Sequence, residues 1–250
     1  LPVGADSLLY STIRQVAHRK APISSLTRNQ PPYPGYRSLM VAIASVLDTI
    51  NETQREAYMK GSMPDSLTTT AVLEVIEINL ERWRLERTME GDRYVLVNIP
   101  SNTLSVFSGD TRVLESRIIT GKPEKPTPQL SSEIDCIILY PYWHVPRSIA
   151  VEEYLPAIRK DTTFLQRNRF DVLDRKGNLL DPRTLDWSSF NRNNFPVVIR
   201  QREGTDNSLG IIKFSFDNPY AVYLHDTNHK YLFSKSRRWF SHGCVRVERA

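Results

Sequence analysis

The texture of this chain changes at Gly91. Before it, apolar residues recur at helical spacing. After it, apolar runs are short, β-branched and closed by Pro, Gly, Asn or Asp. A chain written this way must join a helical part to a sheet, which makes it an α+β protein. The reading is a helical scaffold over residues 1–90 and a mostly β domain over residues 91–250.

Within the first part, "DSLLYSTIRQVAHRK" places Leu8, Leu9, Ile13 and Val16 near helical spacing. "QPPYPGY", Gln30 to Tyr36, reads as a turn or linker, because proline fixes φ and lacks a backbone donor. "SLMVAIASVLDTIN" resumes helix and "MKGSMPDS" breaks it. The stretch from Asp65 to Glu90 predicts a long helix with Leu73, Ile76, Leu80 and Trp83 on one stripe. Glu77, Glu81, Arg84 and Arg87 are spaced to pair along it.

In the second part, "RYVLVNIP", "TLSVFSG", "SRIITG", "DCIILYP", "FPVVIRQ", "GIIKFSF" and "AVYLHD" predict strands. "VNIPSNTLSVF" predicts a hairpin. "CIILY", Cys136 to Tyr140, is the longest buried-looking run and suits a strand. Residues 148–196, helical at first and then polar and loop-rich, interrupt the strands. So long an excursion predicts a lid-like insertion.

The chemistry concentrates near the end, at "FSHGCVRVE". A thiol attacks as thiolate, so Cys244 needs a base or a positive neighbourhood. Residues 221–250 hold six Lys or Arg against Asp226 and Glu248. Of the five histidines, His18 and His144 read as structural or exposed, and His229 as solvated. His225 ends "AVYLHD", and fifteen residues separate it from Ser241. That is enough to leave a strand and return beside it, so His225 is the candidate base. Gly243 permits a tight turn, and the Gly243 and Cys244 amides are candidate oxyanion donors. The spacing lacks paired ligand motifs, which argues against zinc. Whether Cys136 and Cys244 pair stays open. No basic helix carries a nucleic-acid motif, so nucleic acid is not an expected partner despite the net charge of +5.

His225 of "YLHDT", fifteen residues, then "SHGCVRV" resembles the catalytic domain of the YkuD-type L,D-transpeptidases. "VNIP", "TGKPEKPTP", "WHVPRSIAVEEYLP" and "RRWFSHGCVRVE" extend the likeness to the YcbB-like branch. The resemblance implies a periplasmic cell-envelope transferase that makes 3→3 peptidoglycan cross-links, supports the cell wall and cell shape, and is acylated by carbapenems. It implies Cys244 as nucleophile and His225 as base. Tyr223 and Gly243 would serve the oxyanion, and the Asp226 backbone would orient the histidine. Ser241, His242, Arg246 and Trp143 would meet or shape the substrate. The partners would be peptidoglycan stem peptides, with no metal and no cofactor. An export signal or membrane anchor would lie outside this sequence, which begins at Leu1 without methionine. Two other readings use the same residues: a peptidoglycan hydrolase or carboxypeptidase, and an envelope-binding protein without turnover.

Overall fold

The computed structural model describes residues 30–59, 67–86 and 92–250. The predicted helix around residues 6–20, with His18, lies outside them. The chain divides into two compact units, Leu1–Asp92 and Arg93–Ala250.

In the first unit, α1 (Pro34–Leu47) and α3 (Leu67–Leu85) pack together, with α2 (Glu52–Met59) between them in sequence. The expected linker at Gln30–Tyr36 is shorter than predicted. Pro34 sits in the first turn of α1, where its missing N–H costs nothing and its fixed φ suits a helix. Tyr36, Leu73, Ile76 and Leu80 are buried, and Tyr33 lies 4.9 Å from Trp83 between ring centroids. Gly35 allows this approach, since a Cβ there would lie 2.5 Å from the Trp83 ring. Arg84 pairs with Glu81, whereas Glu77 accepts from the Tyr58 hydroxyl instead.

The second unit holds an eight-stranded sheet. Its strands are β1 (Arg93–Asn98), β2 (Thr103–Ser108), β3 (Thr111–Gly121), β4 (Ile134–Leu139), β9 (Ile212–Phe216), β10 (Leu224–His225), β11 (Trp239–Ser241) and β12 (Val245–Val247). Their order is β1-β2-β3-β12-β10-β9-β4, with β11 alongside β3. β1 and β2 form the predicted hairpin, closed by Asn102 in the left-handed region (φ 54°). Leu104, Ile118, Leu224, Val245 and Val247 make one core on this sheet.

β4, the strand of "CIILY", is not buried. It forms the end of the sheet, and all six of its residues are exposed. An apolar run alone does not show whether anything covers it. "AVYLHD" also yields only a two-residue strand. Ahead of it Ala221 takes φ 53°, and Asn218 ties the loop through the Phe216 and Val222 carbonyls.

Residues 143–201 build a second, four-stranded sheet from β5 (Trp143–His144), β6 (Phe170–Leu173), β7 (Leu179–Leu180) and β8 (Val198–Gln201). Helices α4 (Arg147–Ile149), α5 (Leu155–Lys160) and α6 (Phe164–Arg167) accompany it. A separate core gathers here, including Trp143, Ile158, Leu165, Val172, Trp187 and Ile199. Each fully buried side chain of this size contributes about 1.5–3 kcal/mol. A five-residue π-helical segment, Ala150–Tyr154, joins α4 to α5.

Candidate active site

The site forms where β10 and β12 run parallel, with Leu224 opposite Val245 and His225 opposite Arg246. Strand alternation does the sorting. Val245 and Val247 turn into the core, so Cys244 and Arg246 share the other face. By the same rule Tyr223 and His225 share a face, and their rings lie 5.5 Å apart.

Gly243 makes the turn into the cysteine. Its φ of +119° is closed to ordinary side chains, although the space beside it would admit a Cβ. The turn is tied from within. Ser241 Oγ accepts from the Gly243 amide at 3.2 Å and donates to the Cys244 carbonyl at 2.5 Å. Residues of "TGKPEKPTP" hold it from outside. Thr127 Oγ1 accepts from Gly121 N at 2.9 Å and donates to the Gly243 carbonyl at 2.8 Å. Lys122 N donates to the Ser241 carbonyl at 3.0 Å. Gly121 is obligatory for this loop, since a Cβ there would meet the Lys125 carbonyl at 2.2 Å.

Two sequence expectations change here. The Gly243 amide is already spent on Ser241, so it is not the oxyanion donor in this arrangement. Ser241 is buried and shapes the turn rather than meeting substrate.

Tyr223 takes the larger part. Its hydroxyl and its backbone amide both hydrogen-bond to the Cys244 sulfur. Trp143 in turn hydrogen-bonds to the Tyr223 hydroxyl. An indole N–H only donates, so the Tyr223 oxygen accepts from it and its own proton points to the sulfur. Trp143 is therefore a buried support of Tyr223 and not the groove residue the sequence suggested. Burial, and then the cysteine, push the Tyr223 phenol far above its ordinary value and keep it a donor.

His225 is buried, and its Nδ1 lies 2.5 Å from the Asp226 carbonyl oxygen. A carbonyl can only accept, so Nδ1 carries the proton and Nε2 keeps its lone pair. Asp226 thus orients the histidine through its backbone. Its carboxylate is engaged elsewhere, pairing with Lys230 and accepting from Ile211 N at 3.1 Å. Burial first, and Arg246 second, push His225 down to about 3. Burial raises the Cys244 thiol, against the lowering pull of Tyr223, Lys213 and Arg246. Both shifts favour the uncharged forms, thiol and imidazole, over an ion pair.

Arg246 is half-buried, its Nε has no hydrogen-bond partner, and no carboxylate pairs with it among the described residues. Burial depresses its guanidinium, whereas Cys244, Tyr154 and Tyr231 favour its charge. Lys213 stands opposite His225 on β9, with its ammonium 4.2 Å from the Tyr223 ring centroid. The base therefore lies between two cations.

The segment after β5 touches the cysteine turn through one hydrogen bond and the loop after Gly121 through one ion pair. His242 Nε2 meets Glu153 Oε1 at 2.7 Å, and Lys125 Nζ meets Glu152 Oε2 at 3.3 Å. Sequence reasoning missed Glu152, Glu153, Lys125 and Thr127. Their signal was present only as the stretches "TGKPEKPTP" and "AVEEY". His144 and His229 are exposed. Both cysteines are free, with Cys136 exposed on β4. Among the described residues, no three His, Cys, Asp or Glu converge as a metal site.

The L,D-transpeptidase catalytic domain (YkuD) family model matches residues 92–250. A Haemophilus influenzae protein named "Putative L,D-transpeptidase" is 37% identical over 156 residues, covering 62% of this chain and 32% of that protein. The chain thus spans about a third of that relative's length. A solved structure described as "Structure of the Ldtfm-avibactam carbamoyl enzyme" aligns with 11% identity and a TM-score of 0.34, over 68% of this chain and 53% of that one. With the YkuD match running through the whole of the sheet and its cysteine turn, the chain belongs to the L,D-transpeptidase catalytic domain family.

Proposed function

We propose that this protein is a peptidoglycan L,D-transpeptidase of the YcbB-like branch, working in the periplasm and forming 3→3 cross-links. The observation that carries the reading is the Cys244 sulfur held by Tyr223, with His225 on the neighbouring parallel strand, its Nδ1 tied to the Asp226 carbonyl and its Nε2 left to accept. In the first half-reaction, His225 Nε2 takes the thiol proton as sulfur attacks the carbonyl of the third residue of a donor tetrapeptide. Tyr223 donates to the oxyanion that develops. The tetrahedral intermediate collapses, the C–N bond to the terminal D-alanine breaks, and His225 returns its proton to the leaving amine. A thioester remains. In the second half-reaction an acceptor amine attacks the thioester, the C–S bond breaks, and the thiol is restored.

The uncharged resting pair suits this sequence. A neutral imidazole accepts a proton, while a His⁺ at rest would not. Arg246 supplies a half-buried cation with no carboxylate partner among the described residues, which suits the acidic stem peptide. Residues 148–196 act as a lid over the donor, and residues 1–90 as a helical scaffold. Carbapenems acylate Cys244 by the same attack on a carbonyl. Among the described residues no helix is long and apolar enough to cross a membrane.

Incubation with a tetrapeptide containing diaminopimelate tests the reading. A 3→3 dimer with release of D-alanine, lost in Cys244→Ala, is the expected outcome. Hydrolysed tripeptide without dimer would favour the carboxypeptidase reading. Intact tetrapeptide would favour a binding protein without turnover.

A further inference from the structure

Successive peptide planes of the cysteine turn are tied by different groups. Ser241 Oγ accepts from the Gly243 amide at 3.2 Å, which fixes the plane ahead of the glycine. It donates to the Cys244 carbonyl at 2.5 Å, which fixes the plane after the cysteine. The plane between them joins Gly243 to Cys244. Thr127 Oγ1 holds it, donating to the Gly243 carbonyl at 2.8 Å. Among the described residues, no acceptor takes the Cys244 N–H on the other edge of that plane.

A trans peptide is planar, with its C=O and N–H on opposite edges. Fixing the carbonyl toward Thr127 therefore aims the Cys244 N–H away from Thr127. That N–H belongs to the nucleophile's own residue. An amide so placed can donate to the oxygen of a carbonyl that the sulfur attacks. The plane would not keep this direction unaided, because Gly243 has no Cβ and sits at φ +119°. Rotation of the plane would turn the Gly243 carbonyl toward the developing negative charge in place of the N–H.

Thr127 is placed to resist that rotation. Its oxygen accepts from Gly121 N at 2.9 Å, so its single proton is left for the Gly243 carbonyl. Gly121 is the last residue of β3, so the tie runs from the sheet to the turn. Pro126 and Pro128 flank Thr127 in the sequence. Pro128 restricts the Thr127 backbone to extended conformations, and Pro126 fixes its own φ. Little backbone freedom remains to be lost in aiming the hydroxyl.

We propose that Thr127 is a positioning residue for acylation. Its hydroxyl locks the Gly243–Cys244 peptide so that the Cys244 N–H serves the oxyanion alongside the Tyr223 hydroxyl. The inference rests on the cysteine acyl-transfer reading and adds a residue 117 positions upstream of the nucleophile that sets its geometry. Thr127 acts through the peptide plane and not on the substrate.

The test compares two reactions of the same thiol. Acylation by a carbapenem forms a C–S bond through an oxyanion, breaks the lactam C–N bond and leaves the thiol proton on that nitrogen. Alkylation by iodoacetamide forms a C–S bond as iodide leaves and the thiol proton passes to buffer, and no oxyanion arises. Both rates are followed by intact mass in a Cys136→Ser background, so that Cys244 alone reports. Thr127→Val keeps the branched shape and removes the hydroxyl. Its acylation should slow about 10²-fold, as for one lost oxyanion donor, with alkylation unchanged. Thr127→Ser should restore most of the acylation rate. Unchanged acylation in Thr127→Val would overturn the proposal. So would equal slowing of both reactions, which would mean that the hydroxyl acts on the thiol or on the fold of the turn. Should Thr127→Val fail to fold, Thr127→Ala removes the same hydroxyl with less bulk and carries the same two readings. A wild type whose Cys244 is alkylated but never acylated would instead defeat the acyl-transfer reading on which the proposal stands.

Discussion

At the scale of single residues, the site depends on who donates to whom. Trp143 can only donate, so Tyr223 must donate onward to Cys244. Tyr223→Phe keeps the ring over Lys213 and removes only the hydroxyl. Acylation should slow about 10²-fold or more, the usual cost of one lost oxyanion donor, and stopped-flow acylation rates would measure it. Trp143→Phe should slow it less, since Tyr223 then keeps its oxygen but loses its aim. His225 sets the pH dependence. Its folded value is depressed, while an unfolded histidine titrates near 6.5. The unfolded chain therefore binds more protons as pH falls below that value, and its contribution to stability is lost progressively from about 6.5 toward 3. Urea midpoints at pH 7 and pH 5 should differ, less so for His225→Gln. Because Arg246 is the second cause of the depression, Arg246→Met should shift the acid limb of the acylation profile upward.

At the scale of elements, two loops clamp the cysteine turn. The loop after Gly121 holds it from below, and the π-helical segment Ala150–Tyr154 touches it through Glu153 and His242. Gly121→Ala should be costly, because the clash is with backbone that cannot swing aside. A loss of about 2 kcal/mol or more in chemical denaturation is expected. Glu153→Gln is milder, since the pair is partly exposed and such contacts are worth about 0–1 kcal/mol. Its effect should appear as faster amide exchange over the π-helical segment, with little change in the denaturation midpoint. Unchanged exchange there would mean that the Glu153–His242 contact does not hold the segment.

At the scale of the whole molecule, the chain divides into two units beside Asp92. Hydrophobic periodicity reads local structure well, so the helical stripe of Leu73, Ile76 and Leu80 and the hairpin of β1 and β2 were legible. Burial of the edge strand was not. "CIILY" has the composition of a core strand, yet coverage is a property of topology. The pairing of the His225 strand with the strand after the Cys244 turn was legible because a tetrapeptide and one spacing carry it. The supports Thr127 and Glu153 were not, because they reach the site from distant parts of the chain. Whether a backbone amide is free, as at Gly243, likewise depends on a hydroxyl that sequence cannot aim.

The central claim is that Cys244 is an accessible nucleophile activated by its neighbours. Intact-mass analysis after incubation with a carbapenem tests it most directly, for wild type, Cys136→Ser and Cys244→Ala. One adduct on wild type and on Cys136→Ser, and none on Cys244→Ala, is the predicted result. No adduct on the wild type, or an adduct that survives in Cys244→Ala, would contradict it.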